Sequence, residues 1–460
     1  MMNAIRCSVV SRHFMGLTKS SSSWPSCSNF LKLKTNQSVA VSCSGWGAIY
    51  TSIRCSSHQT ETVDSLGFLA DLKAQGKYID VTWKDSTSSR YYSLWLRKNC
   101  HCPACRHDNG QLLLPSFSLP ASLTVKSTKV DPANGSGTLL IEWNEESHQT
   151  TLPLCWLKEN SYSRPALQQA SHKQDVTVFK GPIKEFNIQD ITAVGDKVNR
   201  FFKDLNEDGV VLVKGVPIEK HQVCKVAEII APAQHTLYGK TFSVEAKEDA
   251  INVAYTPHAL ELHMDLVYYQ SPPGLQLLHC LRFDEQVMGG ESVFLDTIHV
   301  AQEMQWHHPD LFDTLTRVPA TFQKFHFERE TPAAFRYQRP HITVNREGKI
   351  TSVIWSPPFE GPLKVPEEDV APYFEAYRKF AELVNTSELQ FSHRLQPGDC
   401  VIFNNLRILH ARNAFTLNGG KRQLMGCYIN IDAFKNRVQV AHIQSGSEEI
   451  AKRVNNGDYS

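Results

Sequence analysis

Apolar and polar positions alternate with period two in Tyr78-Ile79-Asp80-Val81-Thr82-Trp83, which predicts a strand with one buried face. Leu123-Thr124-Val125 and Leu139-Leu140-Ile141-Glu142-Trp143 are two further strand candidates. The turn-rich Asp131-Pro132-Ala133-Asn134-Gly135-Ser136-Gly137 lies between them, so the pair reads as a hairpin. These segments predict a small β-rich unit over residues 75–165, and the polar run that starts at Glu159 and passes Pro165 reads as a linker.

A second unit is predicted over residues 185–445. Val198, Phe201, Phe202 and Leu205 fall at helical spacing in a helix from Ile191 to Asn206, and Gly209-Val210-Val211-Leu212-Val213 follows as a buried strand. Helices recur at Val223 to Ala231 and at Val370 to Val384, where Tyr373, Tyr377, Phe380 and Leu383 share a face. Short strand-like runs occupy Leu275 to Cys280, Ser292 to Leu295, Ile350 to Trp355, Asp399 to Phe403 and Gln423 to Ile429. Many short strands with Gly and Pro turns predict a mainly β fold with flanking helices, a jelly roll or double-stranded β-helix.

Charge changes this picture at one end only. The 460 residues carry 48 basic and 47 acidic side chains, so no broad nucleic-acid footprint is indicated. Yet the first acidic residue is Glu61, and Arg6, Arg12, Lys19, Lys32, Lys34 and Arg54 precede it among many serines. Residues 1–60 are therefore expected to be a mitochondrial transit peptide, with a disordered tail as the alternative. No apolar run is long enough to span a bilayer, and no membrane partner is expected.

Of the twelve cysteines, four lie in the leader and Cys155, Cys224, Cys280, Cys400 and Cys427 are scattered, as buried free thiols of a reducing compartment would be. The other three are packed into Cys100-His101-Cys102-Pro103-Ala104-Cys105. Zn2+ takes four soft or borderline ligands in a tetrahedron, so a fourth group must come from elsewhere. His101 and His107 are near in sequence, while His148 lies just past the strand ending at Trp143.

His263-Met264-Asp265 offers different chemistry. In an extended segment both outer side chains face one side, where they can converge on an ion. The bland alternative is a surface histidine beside an acid. With His410, which follows the turn and strand Pro397 to Phe403, the pair has the form of the two-histidine, one-carboxylate triad that holds Fe(II) with open positions. Arg422, twelve residues later, offers a permanently charged fork suited to a carboxylate, its alternative being a surface ion pair.

At these residues the chain resembles the γ-butyrobetaine dioxygenase and trimethyllysine dioxygenase family of Fe(II)- and 2-oxoglutarate-dependent hydroxylases. The resemblance runs from Trp95 to Asn456 and is carried by Asn252 to Thr256, the His263 triplet, Pro272 to Cys280, Gly289-Gly290 and Asn405 to Tyr428. It implies that His263, Asp265 and His410 bind iron, that Arg422 pairs with the distal carboxylate of 2-oxoglutarate, and that Leu278 lines the cosubstrate site. It also implies O2 as co-reactant, succinate and CO2 as products, ascorbate as a helper, a homodimer, and His148 as the ligand that completes a structural Cys3His zinc site.

For the substrate, the family's aromatic cage for a trimethylammonium group lines up with Tyr238, Phe242, Tyr255 and Tyr428, with Phe242 in place of a tryptophan. Asn252 keeps an amide for the substrate carboxylate. Leu266 stands where the family has a tyrosine, Leu406 where it has a tryptophan, and Trp355 or Ser356 where it has an asparagine. The expected activity is hydroxylation of γ-butyrobetaine to L-carnitine. Trimethyllysine or another quaternary amine or small acid is the alternative, and a catalytically idle cupin-like binding protein is the alternative of another class.

Overall fold

The computed structural model describes residues 69–115, 117–132, 137–173, 177–192, 195–245, 256–328, 331–446 and 451, so the expected leader lies outside the described residues. The first part consists of two three-stranded antiparallel sheets. Leu69–Gln75, Tyr78–Trp83 and Ser88–Tyr92 form one, and Val125–Asp131, Thr138–Trp143 and Gln149–Pro153 form the other. Alternation sends Ile79, Val81 and Trp83 inward to meet Leu139, Ile141, Trp143 and Leu152 in one core. The helices Ser93–Lys98 and Leu154–Glu159 add Leu96, Leu154 and Leu157 to it.

Two expectations shift here. The first hairpin strand runs over Val125–Asp131 instead of Leu123 to Val125, because Leu123 is already turned into the core while the strand continues with an exposed polar face. The stretch read as linker contains the helix Arg164–Lys173, with Pro165 in its first turn, where a missing N–H is tolerated.

The second part is the double-stranded β-helix, as predicted. One sheet has the order Lys184–Asn187, Val210–Lys214, Cys400–Asn404, Leu275–Phe283, Arg422–Ile429 and Phe242–Glu245. The other has the order Leu260–His263, Ile408–Arg412, Ser292–Asp296 and Phe391–His393. Leu278, Phe403 and Leu424 from the first sheet meet Phe294 from the second inside the roll. The strand Leu275–Phe283 is apolar on both faces for a simple reason: Leu275 and Leu277 lie under outer helices while Leu278 faces the interior.

Those outer helices are Asp196–Asp208, Gln222–Ile230 and Ile431–Gln444. The single helix predicted from Ile191 is instead Ile188–Thr192 followed, past Gly195, by Asp196–Asp208. Thr297–His307, Pro309–Arg317 and Glu367–Thr386 pack beside the smaller sheet. The predicted strand from Ile350 is Ile350–Val353, and it pairs with Ile342–Val344 in a hairpin separate from both barrel sheets.

Candidate active site and cysteine cluster

The strand Leu260–His263 pairs with Ile408–Arg412 so that His263 lies directly opposite His410, with ring centroids 4.3 Å apart. Asp265 joins them by a route that alternation did not foresee. The strand ends at His263, and Asp265 lies in the bend that follows, with its carboxylate toward both rings. Asp265 Oδ1 is 3.6 Å from His263 Nε2 and Oδ2 is 3.9 Å from His410 Nε2. Both separations exceed ordinary hydrogen bonds, and the three ligand atoms lie within 4.8 Å of one another, as donors around a shared ion would.

Backbone hydrogen bonds hold this bend from three sides. Met264 N–H donates to the Trp355 carbonyl at 2.9 Å. Asn405 accepts from Asp265 N–H at 2.9 Å, and its Nδ2 donates to the Asp265 carbonyl at 2.9 Å and to the Pro273 carbonyl at 3.2 Å. His263 Nδ1–H donates to the Glu261 carbonyl at 2.7 Å, which leaves Nε2 as the ring atom that faces Asp265.

Electrostatics separate the two histidines. Burial would lower His263, but hydrogen bonding and charge from Asp265 raise it above its ordinary range. Burial and the neighbouring His263 push His410 down to about 3. Burial opposes ionisation of Asp265, yet His263, His410 and the Tyr428 hydroxyl hold its carboxyl below the usual range. The carboxylate is thus ionised and His410 neutral, as a metal requires, while the proton that Asp265 favours on His263 would leave when a metal binds.

The triad opens on a cavity of about 90 Å3. Tyr238, Phe242 and Tyr428 form one wall, with Phe242 stacked on Tyr428 at 5.1 Å and 25° and 6.1 Å from Tyr238. Gly426, opposite Phe242, makes that wall possible, since a Cβ there would lie 2.3 Å from the Phe242 ring. Tyr428 has a further tie, its hydroxyl donating to Asp265 Oδ2 at 2.8 Å. Asn252 and Tyr255, the other two expected substrate contacts, lie outside the described residues.

Arg422 and Leu278 line the same cavity. Arg422 is buried between the rings of Phe283 and Phe415, 5.2 and 5.6 Å from its guanidinium carbon, and Nη2 donates to the Gly290 carbonyl at 3.1 Å. This is no surface ion pair: among the described residues no carboxylate lies within ion-pair distance, and buried Nε has no hydrogen-bond partner. Burial and Arg412 lower its pKa to about 10, which still leaves it charged at neutral pH. A buried cation without an acid fits a carboxylate-bearing ligand such as 2-oxoglutarate.

Sequence reasoning passed over Asn405, Gln276, Ser292 and Arg412. The last three line the cavity. Arg412 was the most accessible of them, since it lies two residues beyond His410 on one strand; its Nη2 donates to the carbonyls of Thr256 at 2.7 Å and His258 at 2.6 Å. Of the family departures, Leu266 is buried, Leu406 is buried, and Trp355 packs its ring against Tyr377 and Phe380 at 4.8 and 5.0 Å.

In the first part of the chain His148 Nε2 is 3.4, 3.7 and 3.5 Å from the sulfurs of Cys100, Cys102 and Cys105. A tetrahedral zinc, with bonds of about 2.3 Å to sulfur and about 2.05 Å to nitrogen, would separate those atoms by about 3.6 Å. The donor set and its spacing fit zinc. Two N–H groups already point at the sulfurs, Arg97 Nη1 to Cys105 at 3.2 Å and Thr151 N to Cys100 at 3.4 Å, and Arg97 is itself paired with Glu146. Without a cation, burial pushes the Cys100 thiol up to about 11. His101 instead faces the Trp156 ring at 4.7 Å, and His107 Nδ1 accepts from Asn109 N–H at 3.2 Å.

Comparison with known proteins places these sites in context. The family described as taurine catabolism dioxygenase TauD, TfdA matches residues 173–428, and the family described as γ-butyrobetaine hydroxylase-like, N-terminal matches residues 70–145. The chain is 27% identical to γ-butyrobetaine dioxygenase of Pseudomonas sp. (strain AK-1), over 81% of this chain and 96% of that one. It is 27% identical to trimethyllysine dioxygenase of Meyerozyma guilliermondii, over 80% and 94%. Against dioxygenase str8 of Strobilurus tenacellus the identity is 30%, over 76% and 84%.

Proposed function

From the premise that the chain belongs to the TauD, TfdA family of dioxygenases, we propose that it hydroxylates a small trimethylammonium substrate, with γ-butyrobetaine to L-carnitine as the first reading. The protein is an iron- and 2-oxoglutarate-dependent dioxygenase, and family membership sets aside the idle binding protein. The observation that carries the substrate class is a single cavity that joins the open His263-Asp265-His410 triad, buried Arg422 and the aromatic wall of Tyr238, Phe242 and Tyr428.

His263, Asp265 and His410 would hold iron, with Asn405 fixing the backbone of Asp265 and His263 Nδ1 fixed by Glu261. Iron, when bound, activates O2 so that one oxygen atom enters a C–H bond and the other enters succinate as 2-oxoglutarate loses CO2. Arg422 would bind the distal carboxylate, and Leu278 would pack beside the cosubstrate. The aromatic wall would receive a cation that cannot donate a hydrogen bond and would keep water from it. Ascorbate would serve as reductant.

A second reading, another quaternary amine such as trimethyllysine, is favoured by two departures from the resembled family. Leu266 offers no polar atom, and the Trp355 ring is packed against Tyr377 and Phe380, so neither supplies the carboxylate contact of a short betaine. Cys100, Cys102, Cys105 and His148 would close around a structural zinc. We further propose a homodimer delivered to the mitochondrial matrix by residues 1–60.

The test is succinate formation by protein reconstituted with Fe(II), 2-oxoglutarate, ascorbate and O2, across a panel of betaines and amino acids. Stimulation by γ-butyrobetaine is the expected result. Stimulation by trimethyllysine alone would move the assignment to the second reading, and no stimulation by any quaternary amine would sink the substrate class.

A further inference from the structure

His341 is fully buried outside the two barrel sheets, and no functional reading above uses it. It stands just before the strand Ile342–Val344, whose partner Ile350–Val353 runs on into Ile354 and Trp355. Both backbone polar groups of Ile354 return to this one residue. Ile354 N–H donates to the His341 carbonyl at 2.7 Å, and the Ile354 carbonyl accepts from His341 Nδ1–H at 2.8 Å. A carbonyl can only accept, so the ring proton sits on Nδ1 and Nε2 is left as an acceptor. The Tyr373 hydroxyl, on the helix Glu367–Thr386, donates to that nitrogen at 2.9 Å.

The next residue carries this clamp to the triad. Trp355 is flanked by the rings of His341, Tyr377 and Phe380, with centroids 5.3, 4.8 and 5.0 Å away. Its carbonyl accepts from the N–H of Met264, the residue between His263 and Asp265, at 2.9 Å. A leucine in place of His341 would fill an apolar core without burying two ring nitrogens, so the histidine is explained by the two bonds it makes. Burial pushes its pKa down to about 4, and the neutral ring keeps one donor and one acceptor at physiological pH.

We propose that His341 is a positioning residue for the metal triad: through Ile354 and Trp355 it fixes the peptide group that joins His263 to Met264, and Tyr373 fixes His341 in turn. Asn405 holds the Asp265 side of the same bend, so the bend is set from both of its sides. The assignment rests on the metal reading of the triad.

The test titrates Mn(II) into the full chain by calorimetry, with His263→Ala as the blank for binding elsewhere, and records the melting of every variant. His341→Leu removes both ring hydrogen bonds at similar volume and is expected to raise the Kd for Mn(II) about tenfold, the usual loss when a group that orients a metal ligand is removed. His341→Asn keeps a donor near the place of Nδ1 and is expected to bring the Kd back to within about threefold of the unsubstituted protein. Tyr373→Phe loses a single hydroxyl, so it decides the matter if the Leu variant does not fold; its Kd is expected to rise about threefold. A role in stability alone would lower the melting temperatures and leave the Kd of the folded variants where it was. That result overturns the proposal, and so does an Asn variant as weak as the Leu variant. Failure of the unsubstituted protein to bind Mn(II) above the blank would instead strike the metal reading itself, and this inference with it.

Discussion

Around Cys100, Cys102, Cys105 and His148 every tetrahedral direction is taken by protein, whereas His263, Asp265 and His410 leave the far side of their cluster open to a cavity. The ligands also differ in how they are supported. The sulfurs receive N–H groups from Arg97 and Thr151, which stabilise negative charge at a closed point. The triad is supported from behind, through the backbone of Asp265 and the far nitrogen of His263, so its open side remains free. Closed clusters stabilise a fold and open ones carry a reaction. The two clusters are therefore distinguished by whether a fourth protein ligand is present.

The largest effect should come from substitutions that set those functions against each other. His263→Ala is expected to lower substrate-stimulated succinate formation by about a thousandfold or more, with the melting temperature little changed, since metal chemistry supplies the oxidant. Cys102→Ala should do the reverse, lowering the melting temperature by several degrees while turnover per folded molecule persists, because structural zinc binding is coupled to folding. Equal loss of folding in both variants would erase the contrast between open and closed sites.

Arg422→Met should come next, raising the Kd for 2-oxoglutarate about ten- to a hundredfold, which corresponds to a lost charge-assisted hydrogen-bond pair. Binding of Mn(II) alone should be unaffected, because Arg422 touches no triad residue. A parallel loss of metal affinity would show that the anion site and the metal site are not separate ends of the tunnel. Asn405→Ala should have the opposite signature. It removes three hydrogen bonds around Asp265 and Pro273, and metal affinity is expected to fall about tenfold, read by Mn(II) titration.

These contrasts also mark what could be read in the chain before its fold was known. Ile79, Val81 and Trp83 announced their strand because a half-buried strand alternates, and the run from Leu275 announced another because both its faces are covered. Thr297–His307 gave no boundary: it follows the strand Ser292–Asp296 without a turn, with Asp296 serving at once as last strand residue and as N-cap to Ile298. The triad residues were visible as types at suggestive spacing. The bend that holds Asp265 was not, since it is fixed by hydrogen bonds with Asn405 and the Trp355 carbonyl, both remote in the chain. Asn405 and Gln276 were hidden for a related reason. An amide's role depends on which residues the fold brings beside it, in these cases Asp265 and Tyr428, and those neighbours exist only once the strands have paired.

The smallest expected effect lies on the aromatic wall. Phe242→Trp restores the residue type of the resembled family at a position where the ring packs onto the Gly426 backbone, and Trp attracts a cation more strongly than Phe. The gain should be about 0.5–1 kcal/mol, or roughly a two- to fivefold tighter Kd for γ-butyrobetaine. Size alone could produce the same number by filling the cavity, so the neutral tert-butyl isostere of the betaine must be titrated beside it. Gain for the betaine without gain for the isostere would identify a charge-recognising wall formed with Tyr238 and Tyr428. Equal gain for both would mean that the wall reads shape only, and the open site would then owe its choice of substrate to groups other than these three rings.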